Sequence, residues 1–186
     1  MSDVSGIVLA AGAGTRLGRP KAELVVAGER LVDRAVRVLR SAGCAEVVAV
    51  VRAGVEVDGA TVVVNPDPDR GMGSSLRLGL ASASGERAVI VLVDTPGIGI
   101  AQVRQVLDVS APFVIARYGE RRSHPVAIDR SRWAEVAALA DGDEGARPFM
   151  RAYPDLVTEV SCDGDPSDID TPEDLAAWDD STGISP

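Results

Sequence analysis

The chain has 186 residues, of which 46% are apolar and 25% are charged, a composition that can build a hydrophobic core and excludes a disordered or fibrous protein. Its 28 acidic and 19 basic side chains give a net charge of −9, which argues against general affinity for nucleic acid or anionic membranes. The longest apolar runs, such as residues 88–93, are too short to cross a bilayer.

Short apolar runs alternate along the chain with helical spacings of apolar residues. In chain order they predict strand 4–10, helix 31–42, strands 46–51 and 61–64, helix 74–84, strand 88–93, helix 101–107, strands 113–118 and 125–128, helix 132–140, strand 156–160 and a last helix that begins after Thr171. This alternation predicts an α/β three-layer sandwich with a mostly parallel central sheet. We expect a single domain over residues 1–180, with residues 181–186 as a flexible tail.

The cysteines and the start of the sequence indicate a cytoplasmic protein. Cys44 and Cys162 have neither the number nor the spacing of a disulfide framework or a metal site. The first cation of the chain is Arg16, so the N-terminal residues do not have the pattern of a secretory signal.

The segment after the first predicted strand is glycine-rich and basic. Residues 10–21 read AAGAGTRLGRPK and contain Arg16, Arg19 and Lys21 without an acid. Successive N–H groups in such a turn form an anion-binding nest, and the cations would add charge toward a triphosphate. The alternative is an ordinary strand-to-helix turn with surface cations.

Two familiar nucleotide motifs do not fit this segment. Its glycine spacing, G-x-G-x-x-x-G, is one residue longer than the dinucleotide fingerprint, and Pro20 stands where that motif needs a continuing helix. No Gly-Lys-Ser/Thr sequence exists, so a P-loop is absent. A dinucleotide-binding oxidoreductase is therefore disfavoured, and a non-catalytic nucleotide-binding module remains as an alternative to an enzyme.

Carboxylates after the predicted strand 88–93 and before the last helix are candidate metal ligands. Asp94 follows the most apolar strand, and Asp168 and Asp170 project to one side of an extended segment with Ile169 opposite. Mg²⁺ typically takes one or two protein carboxylates together with phosphate oxygens. The alternative for these acids is turn formation and helix capping.

The middle of the chain offers weaker candidates. Residues 65–75 form a turn-rich loop that ends at a predicted helix start, with Ser74 as its N-cap, and this end could bind an anion or a nucleobase. A surface connection is the alternative. His124 is the only histidine, and without an adjacent nucleophile its expected role is structural.

Six blocks of the sequence, in order, resemble one family. They are residues 9–21, 71–79, 92–96, 123–125, 142–147 and 168–175. Together they are similar to the molybdopterin cytidylyltransferase and guanylyltransferase group, nucleotidyltransferases with a GT-A-like (Rossmann-like) fold. The Leu-Ala-Ala-Gly form of residues 9–12 resembles the cytidylyl branch. Thr95 and Ser123 depart from the residues that the family shows more often, and both lie toward the acceptor side.

The resemblance implies a role for each block. The residues that would bind the nucleotide are Ala10, Ala11, Gly12, Gly14, Arg16, Lys21, Gly71, Ser74 and Ser75. Within this set, Arg16 and Lys21 would bind the triphosphate and act in catalysis with Asp94. Asp94 and Asp170 would hold Mg²⁺, and His124 and Arg147 would face the acceptor.

The activity implied by the resemblance is Mg²⁺-dependent transfer of CMP from CTP to the phosphate of molybdopterin, with release of pyrophosphate. Guanylyl or other nucleotidyl transfer to a different phosphorylated acceptor is the alternative. The expected partners are CTP, the acceptor and, transiently, a molybdoenzyme that receives the product; no nucleic acid or membrane partner is expected.

Overall fold

The computed structural model describes residues 3–181 and shows a seven-stranded sheet and a two-stranded ribbon. The strands are β1 (Val4–Ala10), β2 (Val25–Val26), β3 (Glu29–Arg30), β4 (Glu46–Val51), β5 (Thr61–Val64), β6 (Arg87–Leu92), β7 (Phe113–Tyr118), β8 (Arg121–Asp129) and β9 (Val157–Ser161). The large sheet has the order β5-β4-β1-β6-β8-β7-β9, and β8 alone among these seven runs antiparallel to its neighbours.

Helices cover both faces of this sheet. They are α1 (Leu31–Ala42), α2 (Met72–Ser82), α3 (Ile100–Leu107), α4 (Trp133–Leu139), α5 (Arg147–Ala152) and α6 (Pro172–Ser181). Alternate side chains of β1 point to opposite faces, so that Val8 joins the core under α1 and α3 while Ile7 joins the core under α2, α4 and α5. The predicted three-layer α/β sandwich with a mostly parallel sheet is confirmed.

Several predicted boundaries are wrong, for local physical reasons. Helix α2 begins at Met72 rather than after Ser74, because Gly71 adopts the N-cap position and Ser74 lies inside the first turn. Strand β8 begins at Arg121, four residues before the predicted start, because its first residues are polar and lie at the open end of the sheet. Helix α5 has only six residues and shows no helical periodicity that could predict it.

The last helix begins as predicted. Thr171 Oγ1 accepts a hydrogen bond from the Asp174 N–H at 3.2 Å, and the Asp174 carboxylate accepts from the N–H groups of Thr171 and Asp170. This reciprocal capping fixes the segment that carries Asp170. Of the predicted tail, Ser181 ends α6 and residues 182–186 lie outside the described residues. Within residues 3–181 no helix is long and apolar enough to span a membrane.

Candidate functional site

The glycine-rich segment after β1 folds back on itself and brings Lys21 to the edge of the sheet. The Leu17 N–H donates to the Gly14 carbonyl at 2.9 Å, and the Lys21 N–H donates to the Gly12 carbonyl at 3.3 Å. Gly14 has φ of 59°, and a Cβ there would lie 2.0 Å from the Arg19 carbonyl oxygen. The turn therefore requires glycine at this position.

Lys21 joins the two carboxylates that the sequence analysis assigned to a metal. Its Nζ lies 2.7 Å from Asp94 Oδ2 and also donates a hydrogen bond to Asp170 Oδ1. The side chains of Lys21 and Asp94 are 14% and 18% exposed, whereas that of Asp170 is 47% exposed. These residues come from three distant parts of the chain: no cation is close to either acid in sequence, and the folded loop brings Lys21 to both.

Burial shapes the ionisation of this cluster. Burial raises the pKa of Asp94, and the nearby Lys21 ammonium offsets only part of this effect. Burial would lower the pKa of Lys21, but the attraction of Asp94 and the hydrogen bond to Asp170 together raise it. Lys21 is therefore protonated at neutral pH, and any additional positive charge would further stabilise the ionised form of Asp94.

The segment before α6 is anchored directly beside Asp94. The Ile169 N–H donates to the Asp94 carbonyl at 2.8 Å, and the Ile169 side chain is fully buried. Asp168 and Asp170, on either side of this buried residue, are exposed and half-buried. Asp168 pairs with Arg121 at 3.0 Å. Burial would raise the pKa of Asp168, but the hydrogen bond from Arg121 and the positive charge of Arg121 lower that pKa overall.

A cavity of about 340 Å³ opens between the carboxyl ends of β4, β1 and β6. We call it the smaller cavity. Its lining includes the loop after β1, the Lys21–Asp94 pair and the N-terminal end of α2, through Ala11, Gly12, Ala13, Lys21, Arg52, Pro68, Asp69, Gly71, Met72, Ser75, Asp94 and Asp143. The site thus combines small residues of the loop after β1 with two groups of charged side chains, Lys21 with Asp94 and Arg52 with Asp69.

A larger cavity of about 580 Å³ adjoins it over β8 and β7. Its floor is apolar and consists of Leu76, Ile90, Phe113, Ile115, Val126 and Ile128. Its rim carries His124 and the cations Arg121, Arg122, Arg147 and Arg151. Leu9, Met72, Leu92, Asp94 and Asp143 line both cavities, so the two spaces share a wall that includes Asp94.

Most of the rim arginines are already paired. Arg121 pairs with Asp168, Arg122 with Glu159, and Arg151 binds Glu144 through two hydrogen bonds of 2.6 and 2.7 Å. Arg147, at the start of α5, makes no ion pair within the described part of the chain. It is the rim cation whose charge remains for a ligand.

His124 lies in the wall of the larger cavity, and its carbonyl accepts a hydrogen bond from the Tyr118 hydroxyl at 3.0 Å. Burial, together with the nearby charge of Arg147, lowers the pKa of His124 to about 4. The imidazole is therefore neutral at pH 7 and can offer a hydrogen bond but no charge.

The loop between β5 and α2 is held by a residue that sequence reasoning missed. Asn65 is 3% exposed, and its amide donates to the hydroxyls of Ser74 and Ser75 at 2.9 and 3.0 Å. The Ser74 hydroxyl donates to the Gly71 carbonyl at 2.8 Å. A turn-forming Asn-Pro sequence was the available signal, but it does not reveal which hydroxyls the amide binds.

Not every predicted nucleotide-binding residue lies at a cavity wall. Ala10 is buried in β1, and Gly14 shapes the loop from beneath. Ser74 and Ser75 are both buried and both accept from Asn65, and of these two only Ser75 lines the smaller cavity, together with Gly71. Arg16 is exposed in a short 3₁₀ turn outside both cavities.

Solved structures share this architecture. The chain superimposes on the crystal structure of Rv0371c from Mycobacterium tuberculosis with a TM-score of 0.85 and 31% identity, covering 96% of this chain and 98% of that one. A manganese complex of the same protein aligns with a TM-score of 0.81, 29% identity and coverage of 97% and 100%. The 2-C-methyl-D-erythritol 4-phosphate cytidylyltransferase of Thermus thermophilus shares the fold, with a TM-score of 0.79, 18% identity and coverage of 96% and 98%. The fold is thus the GT-A-like fold that nucleotidyltransferases share.

Sequence relatives narrow this class. Residues 6–157 match the MobA-like NTP transferase domain. The chain is 38% identical over 192 residues to the "Nicotine blue oxidoreductase" of Paenarthrobacter nicotinovorans, covering 92% of this chain and 94% of that protein. It is 41% identical over 107 residues to the "Probable molybdenum cofactor guanylyltransferase" of Opitutus terrae, covering 54% and 52%. The chain belongs to the MobA-like NTP transferase family, as its motifs predicted.

Proposed function

We propose that this enzyme transfers CMP from CTP to the phosphate of molybdopterin, with Mg²⁺ as cofactor and pyrophosphate as the second product. The observation that carries the proposal is that two cavities share a wall that includes Asp94. A transferase for two substrates needs adjacent spaces that share the reacting centre. The smaller cavity would hold the nucleotide and the larger cavity the acceptor.

The smaller cavity has the groups that a nucleoside triphosphate requires. Backbone N–H groups around Gly12 and Ala13 can bind phosphate oxygens, and Lys21 adds a charge at the same end. The N-terminal end of α2, near Gly71 and Ser75, provides polar groups for the ribose or the base. We propose that Arg16 joins the triphosphate when the nucleotide is bound.

The larger cavity suits a flat acceptor with an anionic group. Its apolar floor, which includes Phe113 and Ile115, matches an aromatic heterocycle. Arg147 supplies the charge for the acceptor phosphate, and the neutral His124 supplies a hydrogen bond beside it. A pterin that carries a phosphate has these features.

The described residues fit a divalent ion. Oxygens of Asp94 and Asp170 both contact one ammonium, so the two carboxylates are close enough to share a cation, and carboxylate oxygens are the donors that Mg²⁺ prefers. Among residues 3–181 no group of three His, Cys, Asp or Glu side chains could hold a metal, so phosphate and water oxygens would complete the coordination. When bound, the ion would neutralise charge that develops on the phosphates.

The reaction needs positioning more than covalent chemistry. A phosphate oxygen of the acceptor attacks the α-phosphorus of CTP, the bond from that phosphorus to the bridging oxygen breaks, and pyrophosphate leaves with the bond electrons. Lys21 stabilises the charge on the phosphates. Arg147 holds the acceptor phosphate, and the adjoining cavities keep the two substrates in line.

The choice of CTP over GTP depends on Ala11, which lines the smaller cavity. Its β-carbon lies where guanylyl relatives more often have glycine, and it narrows a slot that a purine would need. The name of the Opitutus terrae relative specifies guanylyl transfer, so GTP is the donor to compare with CTP.

A pyrophosphate-release screen tests the proposal. CTP, GTP, ATP and UTP would each be offered with molybdopterin and with several sugar phosphates, in the presence of Mg²⁺. We expect release that depends on both substrates, fastest with CTP and molybdopterin. Faster turnover of GTP than of CTP would identify the enzyme as a guanylyltransferase that uses the same mechanism.

One relative is named "Nicotine blue oxidoreductase", so the same preparation would also be tested for oxidation of NADH in the presence of nicotine blue. NADH oxidation without pyrophosphate release from any nucleotide would contradict the proposed transfer and favour this second activity.

A further inference from the structure

Arg52 lines the smaller cavity on the other side of Ala11 from Asp94. Arg52 is the first residue after β4, and Asp94 is the second residue after β6. The register pairs Ala10 with Val51 and Leu9 with Leu92, so Arg52 and Asp94 lie level with Ala11 on either side of it. Neighbouring strands are about 4.8 Å apart, which places the two strand ends about 10 Å apart.

The Arg52 side chain is held in one orientation. Its Nε donates to the Ala11 carbonyl at 2.8 Å, and its Nη2 donates to the Asp69 carboxylate. The side chain is 24% exposed. The hydrogen bonds within the described chain engage Nε and Nη2, and Nη1 is left for a ligand.

The charge at this end of the cavity does not suit a phosphate. Asp69 lines the cavity beside Arg52 and neutralises it, whereas Lys21 and the N–H groups after β1 serve phosphates at the other end. A neutral, oriented pair can read the polar edge of a base without attracting a polyanion. A nucleotide whose phosphates lie at Lys21 would place its base toward Arg52.

We propose that Arg52 is a specificity-determining residue that reads the nucleobase. Its Nη1 donates a hydrogen bond to a ring carbonyl oxygen, a group that cytosine, guanine and uracil carry and adenine does not. Asp69 holds the guanidinium in place for this contact. An adenine would leave the guanidinium without a partner in a partly desolvated slot, so ATP is rejected. The inference rests on the proposed use of a nucleoside triphosphate.

Nucleotide binding without acceptor tests this role. Dissociation constants for CTP, GTP, UTP and ATP would be measured by calorimetry with Mg²⁺ for the full chain and for Arg52→Met, Arg52→Lys and Asp69→Asn. We expect Arg52→Met to reduce the preference for CTP over ATP on the order of tenfold, through weaker CTP binding together with ATP binding that is unchanged or tighter, since the unpaired guanidinium is gone. Arg52→Lys keeps the charge but loses the planar fork, and it should also lose most of the preference.

Arg40→Met is the matched control. Arg40 also donates from Nε to a backbone carbonyl, that of Gly59 at 2.6 Å, but it lies on α1 outside both cavities. This variant should keep the wild-type preference, and thermal unfolding would show whether each variant is folded. If Arg52→Met failed to fold, the nucleotide preferences of Arg52→Lys and Asp69→Asn would still test whether Arg52 selects the base.

Three results would overturn this inference alone. Equal binding of CTP and ATP by the wild type would show that no base is selected at this position. An equal loss of all four nucleotides in Arg52→Met, with rescue by Arg52→Lys, would make Arg52 a phosphate-binding residue. An unchanged preference in the Arg52 variants would remove it from recognition. No nucleotide binding by the wild type would instead overturn the proposed function together with this inference.

Discussion

Lys21 connects the two carboxylates on which catalysis depends in our account. Its ammonium contacts Asp94 and Asp170 and offsets the cost of burying Asp94. The same cation is the charge nearest to the proposed triphosphate end of the smaller cavity. We therefore expect Lys21 to exchange its carboxylate partners for phosphate oxygens when Mg²⁺ and nucleotide bind.

Asparagine substitutions separate the roles of the carboxylates. Asp94→Asn and Asp170→Asn remove a charge and keep the shape, and each should lower turnover by at least about 100-fold, because the cation loses a ligand. Asp168→Asn should cost about tenfold or less, because Asp168 pairs with Arg121 outside the Lys21 cluster. Turnover would be measured against Mg²⁺ concentration for all three variants.

The same variants should remain folded. Since burial raises the pKa of Asp94, folding disfavours its charged form, and a neutral Asn relieves that cost while Asp170 still faces Lys21. Thermal unfolding is the control. Near-normal turnover in both Asp94→Asn and Asp170→Asn would contradict a shared metal site.

His124 provides a prediction about pH. Burial and Arg147 lower its pKa to about 4, below the value of about 6.5 for a free imidazole. Between pH 6.5 and 4 the unfolded chain therefore binds a proton that the folded chain does not, and this residue makes stability fall as the pH is lowered through that window. The contribution is complete above pH 6.5.

The measurement is direct because the chain has one histidine. Its imidazole C–H signal in a proton NMR spectrum should titrate with a midpoint near pH 4. His124→Gln should unfold with a weaker pH dependence between 6.5 and 4 than the wild type. A midpoint near 6.5 would show that the imidazole is solvated and carries charge in the larger cavity at mildly acidic pH.

At the scale of elements, the loop after β1 depends on one glycine. Gly14→Ala would force a Cβ to within 2.0 Å of the Arg19 carbonyl and keep a left-handed φ, so the loop and Lys21 must move. We expect a loss of CTP affinity together with a lower unfolding temperature.

Gly18→Ala is the matched control for this prediction. Gly18 has φ of 71°, but no atom lies within 4 Å of a Cβ built there. Its cost should be about 1 kcal/mol of stability with CTP affinity kept. If Gly14→Ala and Gly18→Ala changed CTP affinity equally, the fold of this loop would not act on CTP binding through the position of Lys21.

The elements could be predicted where their side chains are buried in a regular pattern. β1, β4 and α1 lie at their predicted boundaries, because each has a dense apolar pattern. The polar start of β8 and the short α5 were missed, since tertiary contacts rather than local pattern determine them. The start of α2 was displaced because Gly71 caps the helix without a side chain.

The site was predicted in its parts and not in its connections. A basic loop, a carboxylate after a predicted strand and two carboxylates before the last predicted helix were visible in the sequence. The Lys21 bridge to Asp94 and Asp170 spans 73 and 149 residues, and no local pattern encodes it. The contact of Arg52 with the Ala11 carbonyl was likewise missed, because it depends on the order of strands in the sheet.

For the whole molecule, the strand order explains why two substrates can meet. The parallel strands β4, β1 and β6 bring their carboxyl ends to one edge and form the smaller cavity. The antiparallel β8 extends past this edge, and its first residues form a wall of the larger cavity. Asp94 lies at the boundary between the two arrangements.

The transfer of an α-phosphate label from CTP tests the central claim most directly. CTP labelled at the α-phosphate would be incubated with the enzyme, Mg²⁺ and molybdopterin, and the label would be followed into the acceptor. Our account predicts that label appears in the acceptor together with an equal amount of pyrophosphate, and that Asp94→Asn abolishes both while remaining folded. Transfer that continues in Asp94→Asn, or the absence of transfer from CTP, GTP, ATP and UTP alike, would contradict it.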